Sequence, residues 1–597
     1  SDASVKDIET GRGLIEEARL KTLETKALCD LITAQPVADD DRLRDYPFED
    51  WELQRSEVQD SAALKLAQEI LEPLTAMHFP IAFPEVFLGC SQGFNVILGN
   101  PPWEEVKSEE RDFWTGLFPG LRRLSQREQA QQWQKLAEAR PDLQENWRIL
   151  EETTNYLAGI LKTGNFPGLE TGDLDLYKAF CWRFWHIAST KSGKISVVLP
   201  RSAVAAKGSE AFRKSLFGES SFSKITTLMN SGRWIFDIHP QYTIALLSIS
   251  KSKTSQTGIE IRGPYNSMST YLEGMASPSV SFPTTEVFSW SDDGALPLLP
   301  SNYAAEVFSQ LRKSPRLDLF EEGHWRARPD TQLHATAQKP LMDLNSEDCP
   351  EGFWPVYKGA SYDLWQPDRG DFYAWADPNV VLPWLQDKRL RANKGARDSV
   401  HKEFSSKYVE DELTLAPLSP KIAFRLITNR TNSRTMVCAL TPPNVFHANS
   451  SQLVMIPHGD KKDEAFLLGV LSSIPLDWYT RRFVEVNFNF FLFNPLPIPR
   501  PARSNPLWQR VVQLSSRLAC PDDRFADWAE AVGVNFGPLD ADKKQDKIHE
   551  LDAVVAHLYG LSEPQVVHIF ETFHEGWDYQ PRLTEVLRHY QAWEGKA

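Results

Sequence analysis

The chain has 597 residues, 42% of them hydrophobic, and a formal net charge of −15. That is apolar material for roughly two to four domains, and an acidity that excludes a uniformly basic nucleic-acid coat while leaving room for a basic cleft. No apolar run is long enough to cross a bilayer and the opening Ser1-Asp2-Ala3 has no secretory pattern, so a cytoplasmic protein without a membrane partner is expected. Six cysteines stand singly, Cys90 among them, and neither they nor the 13 histidines show metal-ligand spacing, so no metal site is expected.

Residues 13–34 predict an amphipathic helix through Leu14, Ala18, Leu23, Ala27 and Leu31, and 61–76 a second one through Leu64, Ala67, Leu71 and Leu74, with a charged loop at 39–47 between them. Phe94 to Leu98 reads as a short buried strand. Gly99-Asn100-Pro101-Pro102-Trp103 follows at its carboxyl end, where open α/β sheets place their ligands. The two prolines remove two backbone donors and fix φ, which holds Asn100 extended. Asn100 offers a carboxamide acceptor, the Pro101 carbonyl a second, and Trp103 a flat apolar face. Two acceptors and a plate suit a planar ring with an exocyclic NH2, as an adenine lifted out of a duplex presents; the competing reading is a turn around a buried Trp.

Residues 108–160 are polar and helical with Trp114, Trp133, Trp147 and Tyr156 interspersed, either an insertion beside the site or a helical cap. From 174 the pattern alternates: helix 176–188, strand 195–199, helix 203–216, strand 223–228 and strand 242–250, which predicts a parallel sheet covered on both faces. Residues 251–335 are rich in Ser, Pro, Gly and Thr and read as a boundary with one short helix, 303–312. A strand-rich α+β module is then expected, its residues 421–440 forming two strands around a turn at 429–433 and NVFHANSSQLVMI another. Arg425, Asn429, Arg430, Asn432 and Arg434 are its candidate contacts to bases and phosphates of double-stranded DNA, since Arg pairs with guanine and Asn with adenine; a solvated hairpin turn is the plainer reading of each. Lys388-Arg389-Leu390-Arg391 and Thr480-Arg481-Arg482 suggest phosphate contacts or solvated charged surface.

The segment HFPIAFPEVFLGCSQGFNVILGNPPWEEV, residues 78–106, resembles the catalytic region of gamma-type DNA N6-adenine methyltransferases, in particular the large type IIG restriction-modification enzymes and those of phage-defence systems such as BREX and DISARM. Their Asn/Asp-Pro-Pro-aromatic motif is matched by Asn100, Pro101, Pro102 and Trp103, Trp standing where Tyr or Phe is commoner. Later passages similar to the family are KIAFR at 421–425, AFLLGVLSS at 465–473, NFNF at 487–490 and LPIP at 496–499. The resemblance implies the second half of a class I (Rossmann-like) methyltransferase sheet over residues 78–335, with 94–98, 195–199, 223–228 and 242–250 as strands four to seven and the last antiparallel. It also implies a helical segment at 1–77, the helical insertion at 108–160, a target-recognition domain at 336–500 and a helical region at 501–597 with helices at 548–559 and 564–573. The implied activity is methyl transfer from S-adenosyl-L-methionine to a flipped adenine.

The family's glycine-rich donor loop has no match here. Gly11-Arg12-Gly13 lacks a strand before it, and the run from Gly89 to Gly93 leads straight into the catalytic strand. Cofactor-binding residues therefore stay unknown, and an N-terminal part or a partner chain supplying them is expected, a degenerate relative being the alternative. Other subunits of a defence system are further expected partners. A non-catalytic DNA-recognition subunit is the rival function, and a fused nuclease would precede the methyltransferase part.

Overall fold

The chain divides into two units, residues 1–277 with 281–286, and 278–280 with 287–597. The computed structural model describes residues 4–48, 58–88, 92–124, 126–170, 173–219, 222–237, 242–251, 258–321, 324–395, 399–484 and 487–596; Cys90 lies outside them. No helix among these residues is long and apolar enough to cross a membrane.

The first unit opens with α1, Val5–Ala34, which starts earlier than expected because Ser4 and Asp7 form a reciprocal capping box. Only its last turns are buried: Ala27, Leu31 and Ala34 pack against Leu64, Ala67 and Leu71 of α2, Ala62–Leu71, while Leu14 and Leu23 are exposed. Among the described residues the polar stretch 108–160 carries three α-helices, α3 (Glu110–Leu117), α4 (Gln126–Ala139) and α5 (Pro141–Leu161), with a 3-10 turn at Pro119–Arg123. Pro119 and Pro141 set the breaks, since Pro is compatible with a first helical turn and not with an interior.

The sheet runs in the order β1-β2-β4-β3-β5-β6, from β1 (Val96–Gly99), β2 (Lys194–Pro200), β3 (Phe222–Met229), β4 (Thr243–Ser250), β5 (Gly258–Tyr265) and β6 (Val280–Phe282). β1 lies parallel to β2, whereas β4 is antiparallel to both β2 and β3, so β1, β2 and β3 point the same way and the sheet is mixed, where the helix and strand alternation predicts a parallel one. β3 and β4 are consecutive neighbours with no crossover α-helix between them among the described residues, which is an antiparallel connection. Helix α6, Leu176–Ile187, covers one face with Trp182 and Trp185 buried. The helix expected at 203–216 is interrupted: a turn at Ser202–Ala205 ends at Ala206, which is extended, and the chain resumes through a 3-10 turn at Lys207–Ser209 into α7, Glu210–Glu219. Residues 258–282 differ from expectation: they extend the sheet by β5 and β6, with α8 (Met268–Ala276) between. Their signal is present, because Ile259 and Ile261 are buried and alternate with Glu260 and Arg262, but it sits inside a Ser- and Pro-rich stretch.

β1 is the edge of this sheet. Val96 is 67% and Leu98 83% exposed, so the strand expected to be buried has one open face and, among the described residues, a free edge.

Among its described residues the second unit holds two small sheets. β7 (Arg328–Asp330), β10 (Lys421–Arg425), β11 (Cys438–Thr441) and β13 (Ser451–Met455) pair antiparallel in the order β11-β10-β13-β7. β8 (Trp354–Tyr357), β9 (Ala374–Ala376) and β12 (Phe446–His447) lie in the order β12-β8-β9, β12 parallel and β9 antiparallel to β8. The two-strand reading of 421–440 matches β10 and β11, with Lys421 opposite Thr441. β7 joins this sheet from before residue 336. Helix α9, Lys461–Leu471, is buried almost throughout, and helices at Pro506–Ala519, Ala541–Leu558, Glu563–Glu571 and Gln580–Trp593 close the chain.

Candidate functional site

Gly93 lets the chain enter β1. It sits at φ +139°, and a Cβ there would lie 2.7 Å from the Ser189 amide, so only glycine allows this approach. Phe94 then bonds to the end of α6, its N–H donating to the Ile187 carbonyl at 2.9 Å. The strand delivers Asn100 to its carboxyl end, exposed, next to a buried Pro101. Among the described residues nothing takes up the Asn100 carboxamide.

Trp103 is half-buried. Its indole Nε1 donates to the Val198 carbonyl in β2 at 3.4 Å, and its ring meets Phe236 edge-on, centroids 6.2 Å apart and planes at 90°. Both rings pack with Trp234 on a cluster of Leu228, Ile244 and Tyr265. Phe236 is a site residue that sequence reasoning missed. It belongs to the loop leaving β3, and Asn230, wholly buried, folds that loop back: its carboxamide oxygen accepts from the Ile235 and Phe236 amides at 3.2 Å each, and its nitrogen donates to the Phe236 carbonyl at 2.9 Å. Nothing in a lone Asn before SGRWIF marks this in the sequence; the parallel run of β1, β2 and β3, which gathers their exits at one end of the sheet, does.

The exit of the Asn100–Trp103 loop is also held. Leu176 N–H donates to the Glu104 carbonyl at 2.9 Å and Val106 N–H to the Leu174 carbonyl at 2.8 Å, a short ladder that ties the loop to the start of α6. The arrangement offers an exposed, pre-set amide acceptor beside an aromatic corner with one face-forming and one edge-on ring, which is a seat for a flat, apolar-faced, NH-bearing group.

The five candidate DNA residues fall in the second unit, where most of their polar atoms already have partners. Arg425 donates to the Gly359 carbonyl at 2.6 Å and the Tyr362 carbonyl at 3.1 Å. Arg434 pairs with Asp477, fully buried, and donates to the Ser472 carbonyl at 2.7 Å. Asn429 accepts from the Thr431 and Asn432 amides as an Asx turn, and Asn432 donates to Thr428 Oγ1 at 3.3 Å. Arg430 is partly buried in the same turn, its carbonyl accepting from Arg481 at 2.8 Å. Of the charge runs, Arg389, Arg481 and Arg482 are buried, contrary to both readings of them. Arg481 lies 3.9 Å over the Phe573 ring and donates to the Asn432 and Ser433 carbonyls at 2.7 Å each, so it shapes the turn from within.

No protein-family model matches the chain, and no curated protein does. Among solved structures it is similar to the type IIL restriction-modification enzyme MmeI in complex with DNA, at 12% identity and a TM-score of 0.36 over 72% of this chain and 55% of that one. It is also similar to a nuclease-deletion mutant of the type ISP restriction-modification enzyme LlaGI in complex with a DNA substrate mimic, at 10% identity and a TM-score of 0.35 over 77% of this chain and 43% of that one. A third is the type IIG restriction endonuclease BpuSI, at 13% identity and a TM-score of 0.25 over 68% of this chain and 51% of that one. The chain thus spans about half the length of these structures.

Proposed function

We propose that this chain carries the base-binding side of a site-specific DNA adenine-N6 methyltransferase in a restriction-modification or phage-defence system. The observation that carries the reading is Asn100, exposed and uncommitted at the end of a parallel strand, beside the Trp103–Phe236 corner. A flipped adenine enters that corner with its face on the indole and its edge toward Phe236. Asn100 Oδ1 and the Pro101 carbonyl accept from the N6 amine, which fixes the direction of its lone pair; rigid placement of this kind is what converts a weak nucleophile into a reacting one. No covalent enzyme intermediate is involved.

S-adenosyl-L-methionine would supply the methyl group, and the described residues do not fit it: β1 is the first strand among them, and no glycine-rich loop leads from a strand into a helix ahead of Asn100. The donor site is therefore assigned to another α/β part, an N-terminal segment or a partner chain, which adds to the free edge of β1 and covers Val96 and Leu98. An exposed apolar edge strand is a surface that proteins ordinarily cover. Target choice is assigned to the sheets within residues 336–500, with double-stranded DNA as partner. Because Arg425 and Arg434 are engaged inside the chain, base reading by the five candidates would fall chiefly to the exposed side of the 429–433 turn.

The rival, a non-catalytic DNA-recognition subunit, is favoured by the same lack of a donor loop. The two separate on one experiment: the protein with any co-purifying chain, labelled S-adenosyl-L-methionine and unmodified DNA, followed by sequencing for N6-methyladenine. Modification at a defined motif supports the enzyme; DNA binding without modification supports the rival.

A further inference from the structure

Behind the Asn100–Trp103 loop lies a buried ammonium. Lys178, in the first turn of α6, has a side chain 2% exposed. All three of its donors are used: Asp175 Oδ2 at 2.7 Å, the Asp173 carbonyl at 3.1 Å and the Gly208 carbonyl at 3.0 Å. Two of these acceptors sit in the segment that forms the ladder with 104–106, and the third sits in the segment leaving β2. Beside it Tyr177, also buried, places its hydroxyl 3.2 Å from both Ser202 Oγ and Ser209 Oγ, again in the β2 exit.

A buried charge is expensive, and a well-packed apolar side chain at this position would serve stability as well or better. What an ammonium with three directed bonds adds is register between two segments that share no strand pairing. The ladder passes that register on. Glu105 is bridged to Asp175, and between Glu104 and Asn100 stand Trp103 and two prolines whose φ angles cannot relax, so a shift at 104–106 moves the carboxamide. We infer that Lys178, supported by Tyr177, is a positioning residue that sets the Asn100–Trp103 loop against the exit of β2. The inference rests on the reaction proposed above for its kinetic consequence, and on geometry alone for the clamp itself.

The test uses the full chain, with any co-purifying chain, as wild type, K178M, Y177F and D175N. Hydrogen exchange followed by mass spectrometry reads the ladder amides Val106 and Leu176, and steady-state methyl transfer reads kcat and KM for DNA. K178M should exchange faster in peptides covering 104–106 and 174–176, with β2 to β4 unchanged. Its kcat should fall on the order of tenfold to a hundredfold, the effect of a displacement near an ångström, while KM for DNA moves by less than about twofold, as expected when ground-state binding is untouched. Y177F should show the same pattern more weakly. Unchanged exchange at the ladder would overturn the inference, and so would faster exchange with kcat intact or a loss carried by KM. If K178M does not fold, D175N, which keeps the shape and removes the charge, and Y177F decide by the same readings. A wild-type protein without methyl transfer would remove the proposed reaction, and the exchange measurement would still uphold or overturn the clamp.

Discussion

Replacing Arg434 by Ala separates a structural arginine from a DNA-reading one. The guanidinium faces Asp477, whose side chain is fully buried, and also donates to the Ser472 carbonyl at 2.7 Å and the Ser473 carbonyl at 3.3 Å. Without it the carboxylate keeps the Thr435 and Met436 amides, 3.1 Å away each, and the Arg481 Nε at 3.6 Å. Breaking a buried ion pair by removing one partner destabilises by about 3–5 kcal/mol, and the surviving donors put this case near the lower end, about 3 kcal/mol. For a unit of this size that lowers the midpoint of thermal unfolding on the order of 5 °C. Calorimetry of wild type and R434A, with DNA affinity measured on the folded protein at two salt concentrations, reads both effects. A lowered midpoint with affinity preserved is expected. An unchanged midpoint together with weaker, less salt-dependent DNA binding would refute the reasoning and return Arg434 to the DNA surface.

Trp103→Ala should weaken binding of DNA carrying an extrahelical base by removing a stacking surface, about 1–3 kcal/mol, while Trp103→Phe retains most of it; equal affinity of W103A and wild type for a 2-aminopurine duplex would count against the aromatic corner. Calorimetric titration of the chain alone with S-adenosyl-L-methionine should give no micromolar affinity, and finding one would mean that the donor site lies within these residues. Acid should destabilise the second unit through His447, whose imidazole is pushed down to about 3 by burial. The folded value lies below the unfolded one near 6.5, so unfolding takes up a proton between them. Stability is therefore fullest above about pH 6.5 and falls as pH drops toward 3, by up to about 1.4 kcal/mol per pH unit. His447→Asn should flatten that slope, leaving the part due to His568, which burial holds at about 4; an identical acid limb in the variant would exclude His447 as its source.

Much of the first unit was legible because its strands are apolar, short and spaced by helices: β1 to β4 fall within two residues of where periodicity puts them. β5 was not, since two isoleucines alternating with charged residues are a weak signal in a Ser- and Pro-rich surround. The helix starts at Val5 and at Pro141 depended on caps and on proline, which mark ends more sharply than hydrophobic spacing does. At the site, Asn100 and Trp103 could be read from one tetrapeptide whose prolines dictate its shape. Phe236, Asn230 and Lys178 could not, because each acts through a contact made by the order of strands in space. The charge runs misled for a related reason: Arg389, Arg481 and Arg482 look solvated by composition and are buried by backbone carbonyls and aromatic rings that only tertiary structure brings to them.

Whether Asn100 performs the chemistry is decided by the single-turnover rate of N6-methyladenine formation in wild type and N100A, measured with the donor-binding part present and DNA saturating. Loss of one positioned acceptor removes a few kcal/mol of transition-state stabilisation, so the rate should fall by roughly a hundredfold or more while DNA affinity and fold are kept. Methylation by N100A at the wild-type rate would contradict the assignment of this loop as the active site.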